Sequence, residues 1–267
     1  MDNNKGKMSP LKFLRRHWHD IGLISAAIAG AYLIFAWNEI VFIQKLLILN
    51  FIVVLLHQFE EYSWPGGFPA VANMAMMSSK KPDRYPLNQN SSMVTNLLFA
   101  YVFYLLPVFF PSSIWLGLAP ILVGSIVQFI SHGIYTNIKL KYFYNPGLAA
   151  TVFGHIPIAV FYTNYIVANN LVNQWDWIWA VVYLFVFLFL DFYLIEQKLL
   201  SDKNSPYPFD PDEMKRFDVE KKLQLAKNKE NTNEYITCYG QGMWIIRHGH
   251  PNEEDCEKVL KWVKSKP

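Results

Sequence analysis

From about residue 21 to residue 197 the chain alternates long apolar runs with short polar breaks, and its charged side chains gather before and after that block. Runs of this length match the ~20 residues an α-helix needs to cross a hydrocarbon core of ~30 Å. The breaks divide the block into spans at about 21–37, 40–62, 93–110, 114–138, 148–168 and 177–195. The pattern predicts an all-α fold: a polytopic helical membrane protein with about six transmembrane helices. Pro111-Ser112-Ser113 predicts a tight turn with a serine cap for the following helix, and Tyr144-Asn145-Pro146-Gly147 closes the loop before the fifth span. The piece from Phe68 to Met77 is apolar but too short to span, and is expected to lie in the membrane interface.

Charge orients the spans. Lys5, Lys7, Lys12, Arg15 and Arg16 precede the first span, Lys80, Lys81 and Arg84 sit in the 63–92 loop, Lys139 and Lys141 follow the fourth, and Lys198 follows the sixth. The loop from Asn169 to Asp176 has no Lys or Arg. Every basic loop therefore falls on one side, which predicts a multi-pass protein of the cell membrane with both termini cytoplasmic. The basic N-terminus is not followed by a small-residue cleavage site, so the first run is expected to be a retained span. A net charge of +3 is too small to argue for nucleic acid.

Residues 198–267 read as a small soluble cytoplasmic module. Asp210-Pro211-Asp212-Glu213 opens a predicted helix running to about Lys229, Met243 to Ile246 is strand-like, and Glu253 to Lys264 reads as a closing helix. The two cysteines, Cys238 and Cys256, give no disulfide framework. With His248 and His250 they match no zinc-finger spacing.

The candidate chemistry starts at His57-Gln58-Phe59-Glu60-Glu61, at the end of the second span. On a helix His57 shares a face with both Glu60 and Glu61, at i+3 and i+4. Helical rise puts His57, His132 and His155 in the inner leaflet, with Asp191 and Glu196 of the sixth span, Asn96 of the third and Gln128 of the fourth at a similar depth. Ionisable groups at membrane depth are costly unless paired or used. Histidines with carboxylates suit a divalent metal, zinc first and iron or manganese next. The expected ligands are His57, Glu60, His132 and His155, with Glu61 as the proton-handling catalytic group and Asn96, Gln128, Asp191 and Glu196 around them. The two glutamates are interchangeable at this level. Plain structural readings stand beside these: the glutamates among lipid headgroups, His132 as a hydrogen bond between helices, and His155 satisfying a carbonyl freed by Pro157. His17 and His19 are expected to have no site role.

His57-Gln58-Phe59-Glu60-Glu61 with Trp64-Pro65-Gly66-Gly67-Phe68-Pro69, then His132 and Tyr144-Asn145-Pro146-Gly147, resembles the HXXEE family of membrane proteins over residues 40–165. The resemblance implies multi-span placement and a His/Glu/Glu signature. It implies no activity, because the family is functionally uncharacterised. A CAAX-protease-like reading needs an arginine where Pro65 stands, and a fatty-acid hydroxylase needs more paired histidines than the 7 present. The nearest mechanistic analogy is an alkaline-ceramidase-like zinc hydrolase. The expected function is a metal-dependent membrane hydrolase acting on a lipid or lipid-linked substrate. The alternatives are a proton-coupled transporter and a non-catalytic scaffold whose tail binds a partner.

Overall fold

The computed structural model describes residues 9–228, and within them the chain is helical with no β-strand. Cys238, His248, His250, Cys256, the strand-like and closing-helix stretches of the tail, and Lys5 and Lys7 lie outside the described residues. Among the described residues six helices are long and apolar enough to cross a membrane. They are α1 (Pro10–Phe35), α2 (Phe42–Tyr62), α4 (Gln89–Phe109), α5 (Ile114–Leu140), α6 (Leu148–Ala168) and α7 (Gln174–Leu200). A short helix, α3 (68–76), lies between α2 and α4 where the sequence gives a non-spanning apolar piece.

Three of the long helices begin at side-chain caps; α5 does not, because Ser113 makes no capping hydrogen bond. Ser9 accepts from the Lys12 amide and Pro10 occupies the first turn, so α1 starts at Pro10 and not near residue 21. Hydropathy marks only the apolar part of that helix, while Arg15, Arg16, His17, His19 and Asp20 extend it. Reciprocal caps pair Asn88 with Ser91 at the start of α4 and Asn173 with Asp176 at the start of α7. Both helices therefore begin before their apolar runs do, and α7 continues to Leu200.

Helix α2 packs against α1, α4, α5 and α6. It is a regular α-helix, whereas α5, α6 and α7 widen into π-type turns at Phe129–Thr136, Thr151–His155 and Phe189–Leu200. Such turns carry i→i+5 hydrogen bonds and re-aim the side chains they hold. The interior is apolar, with Val54, Leu55, Ala100, Phe103, Leu118 and Tyr162 wholly covered. The outside is apolar too: Phe35 is 87% exposed and Phe153 82%. Large exposed hydrophobics in this number require a lipid neighbour.

The compact unit holding the bundle ends at Val219, and a second unit begins at Glu220. Residues 201–218 form a strap beneath the helix ends. Its backbone bonds the Gln89 amide through Tyr207 O at 3.0 Å, and Asp83 O through the Phe209 amide at 2.7 Å. Arg16 reaches down to Asp210 and, in a fork at 2.9 and 3.0 Å, to Asp212. The helix expected from Asp210 to about Lys229 is broken. Helix α8 is only Pro211–Lys215, Phe217 takes a left-handed backbone (φ 65), and residues 219–228 are helical again. The break lets the Phe217 ring meet Tyr142 and Tyr144 edge-on, at centroid distances of 6.1 and 5.8 Å.

Candidate metal centre

On the regular α2 helix His57 and Glu61 are one turn apart, and His57 Nε2 lies 3.6 Å from Glu61 Oε1. The π-type stretch of α5 brings His132 in from the other side, with Nε2 3.5 Å from the same oxygen. The two imidazole rings stand nearly perpendicular at 84°, with centroids 4.9 Å apart. All three side chains are buried. Their ligand atoms lie within 4.8 Å of one another, a spacing that could hold a metal ion. Nitrogen and oxygen ligands at ~2.0–2.1 Å around a tetrahedral ion stand about 3.4 Å apart. The two distances to Glu61 are close to that edge and too long for good hydrogen bonds.

The far side of each ring is occupied. Asn145 spends its amide hydrogens on His132 O at 2.6 Å and Asn137 Oδ1 at 2.8 Å, so its own oxygen accepts from His132 Nδ1 at 2.7 Å. That arrangement puts the proton on Nδ1 and leaves the Nε2 lone pair facing Glu61. Thr151 gives its hydroxyl proton to Gly147 O at 2.8 Å, so its oxygen is an acceptor for His57 Nδ1 at 3.5 Å. His57 Nε2 is buried with no hydrogen-bond partner. Gly147, at φ 100, lets the backbone pass against His132: a Cβ there would sit 2.6 Å from the ring.

The other predicted residues separate from this group. Glu60 turns away from the two histidines' shared oxygen. Its carboxylate accepts from Tyr144 Oη at 2.8 Å and from the amides of Ala149 and Ala150 at 3.1 and 2.8 Å. It thus caps the N-terminus of α6 from a neighbouring helix, where the first amides lack partners and negative charge is favoured. Burial, and the bond to Glu60 after it, push the Tyr144 phenol above its ordinary range, so it stays a donor. His155 bonds Asn50 Oδ1 through Nδ1 at 2.8 Å, not a carbonyl freed by Pro157, and its buried Nε2 has no partner. Its ring is 5.9 Å from that of His57, outside the three-residue group. Asp191 is buried with both oxygens unpartnered. His17 and His19 both face Asp20, which also accepts from Ser63 Oγ at 2.7 Å and so ties α1 to the end of α2.

A cavity of about 370 Å³ opens beside His57, Glu61 and His132. Asn96, Gln128 and Glu196 line it, as do Gln58 and Gln197. Glu196 accepts from Gln197 at 2.9 Å and from Thr95 at 3.4 Å. Tyr62 and Ser131 add hydroxyls, and the rest of the wall is apolar, including Val54, Phe68, Met76, Phe99, Leu188 and Phe192.

Residues 48–162 match the family described as protein of unknown function with HXXEE motif. Over that stretch the chain is similar to the HXXEE family. The motif there is His57-Gln58-Phe59-Glu60-Glu61, and the matched stretch also contains His132, His155 and the three residues that hold the far ring nitrogens, Asn50, Asn145 and Thr151. No curated protein and no solved structure matches the chain. Sequence reasoning passed over Asn50 and Thr151. Asn50 did leave a signal: it interrupts an apolar run two helical turns before His57, so it shares that residue's face.

Proposed function

We propose that this protein belongs with the HXXEE family and is a metal-dependent membrane hydrolase for a lipid or lipid-linked substrate, with its centre near the cytoplasmic leaflet of the cell membrane. The ion is zinc first, iron or manganese next. His57 and His132 would bind it through Nε2 and Glu61 through Oε1, so Glu61 takes the ligand role expected of Glu60 and Glu60 is neither ligand nor proton carrier. The observation that carries this is the pair of imidazoles with far nitrogens held by Thr151 and Asn145 and near nitrogens 3.6 and 3.5 Å from one carboxylate oxygen. Metal-binding histidines are characteristically held this way, the outer partner fixing tautomer and ring orientation.

Three protein ligands would leave one position for water or substrate, and all three residues line the cavity. A bound ion would acidify water and polarise a carbonyl. Glu196 lines that cavity and is the candidate proton acceptor, passing the proton on to the departing alcohol or amine. Glu60 anchors the N-terminus of α6, and His155 stands beside the group as a polar neighbour of His57.

Mass spectrometry of detergent-purified protein tests this. The wild type is expected to carry about one equivalent of metal. His57→Ala, His132→Ala and Glu61→Gln are expected to lose it, and Asn145→Ala to bind about 10–100-fold more weakly. Wild-type protein with no more metal than the His57→Ala variant overturns the reading.

A further inference from the structure

The cavity beside Glu61 has an unusual balance of chemistry. Its polar members are two imidazoles, two carboxylates (Glu61 and Glu196), amides of Gln58, Asn96, Gln128 and Gln197, and the hydroxyls of Tyr62 and Ser131. No lysine or arginine lines it among the described residues. A buried phosphate needs cationic side chains or a cluster of donors, and the charge of a divalent ion held here would already be offset by Glu61 and Glu196. An uncharged headgroup of hydroxyl, ester or amide groups matches what the wall offers.

The cavity also has an open side. Helices α5 and α7 pack together between Ile114–Leu122 and Gln174–Leu188. Beyond that they part: the Phe189–Leu200 stretch of α7 packs on α4, while the Phe129–Thr136 stretch of α5 packs toward α6 and α3. There Val127, Gln128 and Ser131 of α5 and Leu188, Phe192 and Gln197 of α7 line the cavity. Phe192 is exposed and the other five are partly exposed. Met76 and Met77 of the α3 segment line the same space, and methionine adapts readily to a flexible chain. At about 370 Å³ the cavity is near the lower end of ligand-site volumes, roughly 300–1,000 Å³, which suits one acyl chain and not two.

We propose that the cavity takes a neutral, single-chain lipid that enters sideways from the bilayer between α5 and α7 and brings its uncharged headgroup to His57, Glu61 and His132. For its chemistry this rests on the hydrolase reading, but binding does not depend on it.

The test uses the full chain in lipid nanodiscs, photolysed with a diazirine-bearing monoacylglycerol or with a lysophosphatidate of the same chain, followed by peptide mapping. The monoacylglycerol is expected to label the 127–131 and 188–192 segments, to be competed by unlabelled monoacylglycerol, and to exceed lysophosphatidate several-fold. Val127→Trp and Leu188→Trp, which fill the gap from either wall, are expected to remove the labelling at unchanged metal content. Glu196→Gln is expected to raise the lysophosphatidate share. Label spread evenly over outward helix faces and not competed, or equal labelling by the two lipids, overturns the proposal. Metal content of the wild-type samples is read separately: metal present without competed labelling sinks this proposal alone, and competed labelling without metal sinks the hydrolase reading alone.

Discussion

Glu60 and Glu61 stand side by side on the last turn of α2, yet one carboxylate meets two backbone amides and a phenol while the other meets two imidazoles. The first set of contacts is structural. A charged cap on a helix 21 residues long satisfies two orphan amides and opposes the positive end of the helix. Glu60→Gln is therefore expected to lower stability by about 1–2 kcal/mol and leave the metal in place. Glu61→Gln is expected to empty the site with a smaller change in unfolding midpoint. Thermal unfolding beside metal analysis of both variants reads the difference, and the reverse pattern would reassign the two. Sequence spacing put both carboxylates on the face of His57, because i+3 and i+4 differ little in direction. Telling them apart depends on where the start of α6 docks, which is a tertiary fact. His132 was legible for a similar reason as a lone imidazole in an apolar run, whereas Thr151 looked like any threonine in a membrane helix.

At the scale of elements, periodicity found what hydrophobic burial controls and lost what caps and neighbours control. The α2 and α6 boundaries follow the apolar pattern closely, since the breaking residues Trp64-Pro65-Gly66 and Asn145-Pro146-Gly147 sit at their ends. The starts of α1, α4 and α7 follow Ser9, Asn88 and Asn173, which lie outside the apolar runs. The break at Phe217 is set by the aromatic contacts with Tyr142 and Tyr144. The strap carries its own expectation. Glu213 is buried where its carboxylate accepts from Gln89 at 2.7 Å and from the Asp210 amide at 2.6 Å. Burial pushes its proton affinity above the ordinary carboxylate range. The docked strap thus holds this proton more tightly than the released strap. Docking is favoured most below the ordinary carboxylate range and weakens as pH rises through the raised one. Hydrogen exchange of residues 201–218, corrected for intrinsic rates, is expected to show protection falling over that interval. Glu213→Gln is expected to remove the slope, and an unchanged slope in that variant would assign it elsewhere.

At the scale of the molecule, six apolar helices return the chain to the side from which it started, so the 9–10 entry and the 201–218 strap share one end. Arg15, Arg16, Lys80, Lys81, Arg84, Lys139, Lys141, Lys198 and Lys203 all belong to that end. The opposite end has Lys45, whose ammonium lies 4.3 Å over the Trp37 ring, with Glu39 nearby. An excess of this size predicts that the strap and the HXXEE end face the cytoplasm. That orientation also decides which leaflet the gap between α5 and α7 samples, since the gap lies in the half of the bundle nearest the basic loops. Single cysteines at exposed Lys80 and Asn170, in a background with Cys238 and Cys256 replaced by serine, report it. A membrane-impermeant maleimide is expected to label Asn170→Cys on intact cells and Lys80→Cys only after permeabilisation. Labelling of Lys80→Cys alone on intact cells would invert the protein, and the gap would then open to the outer leaflet and its lipids.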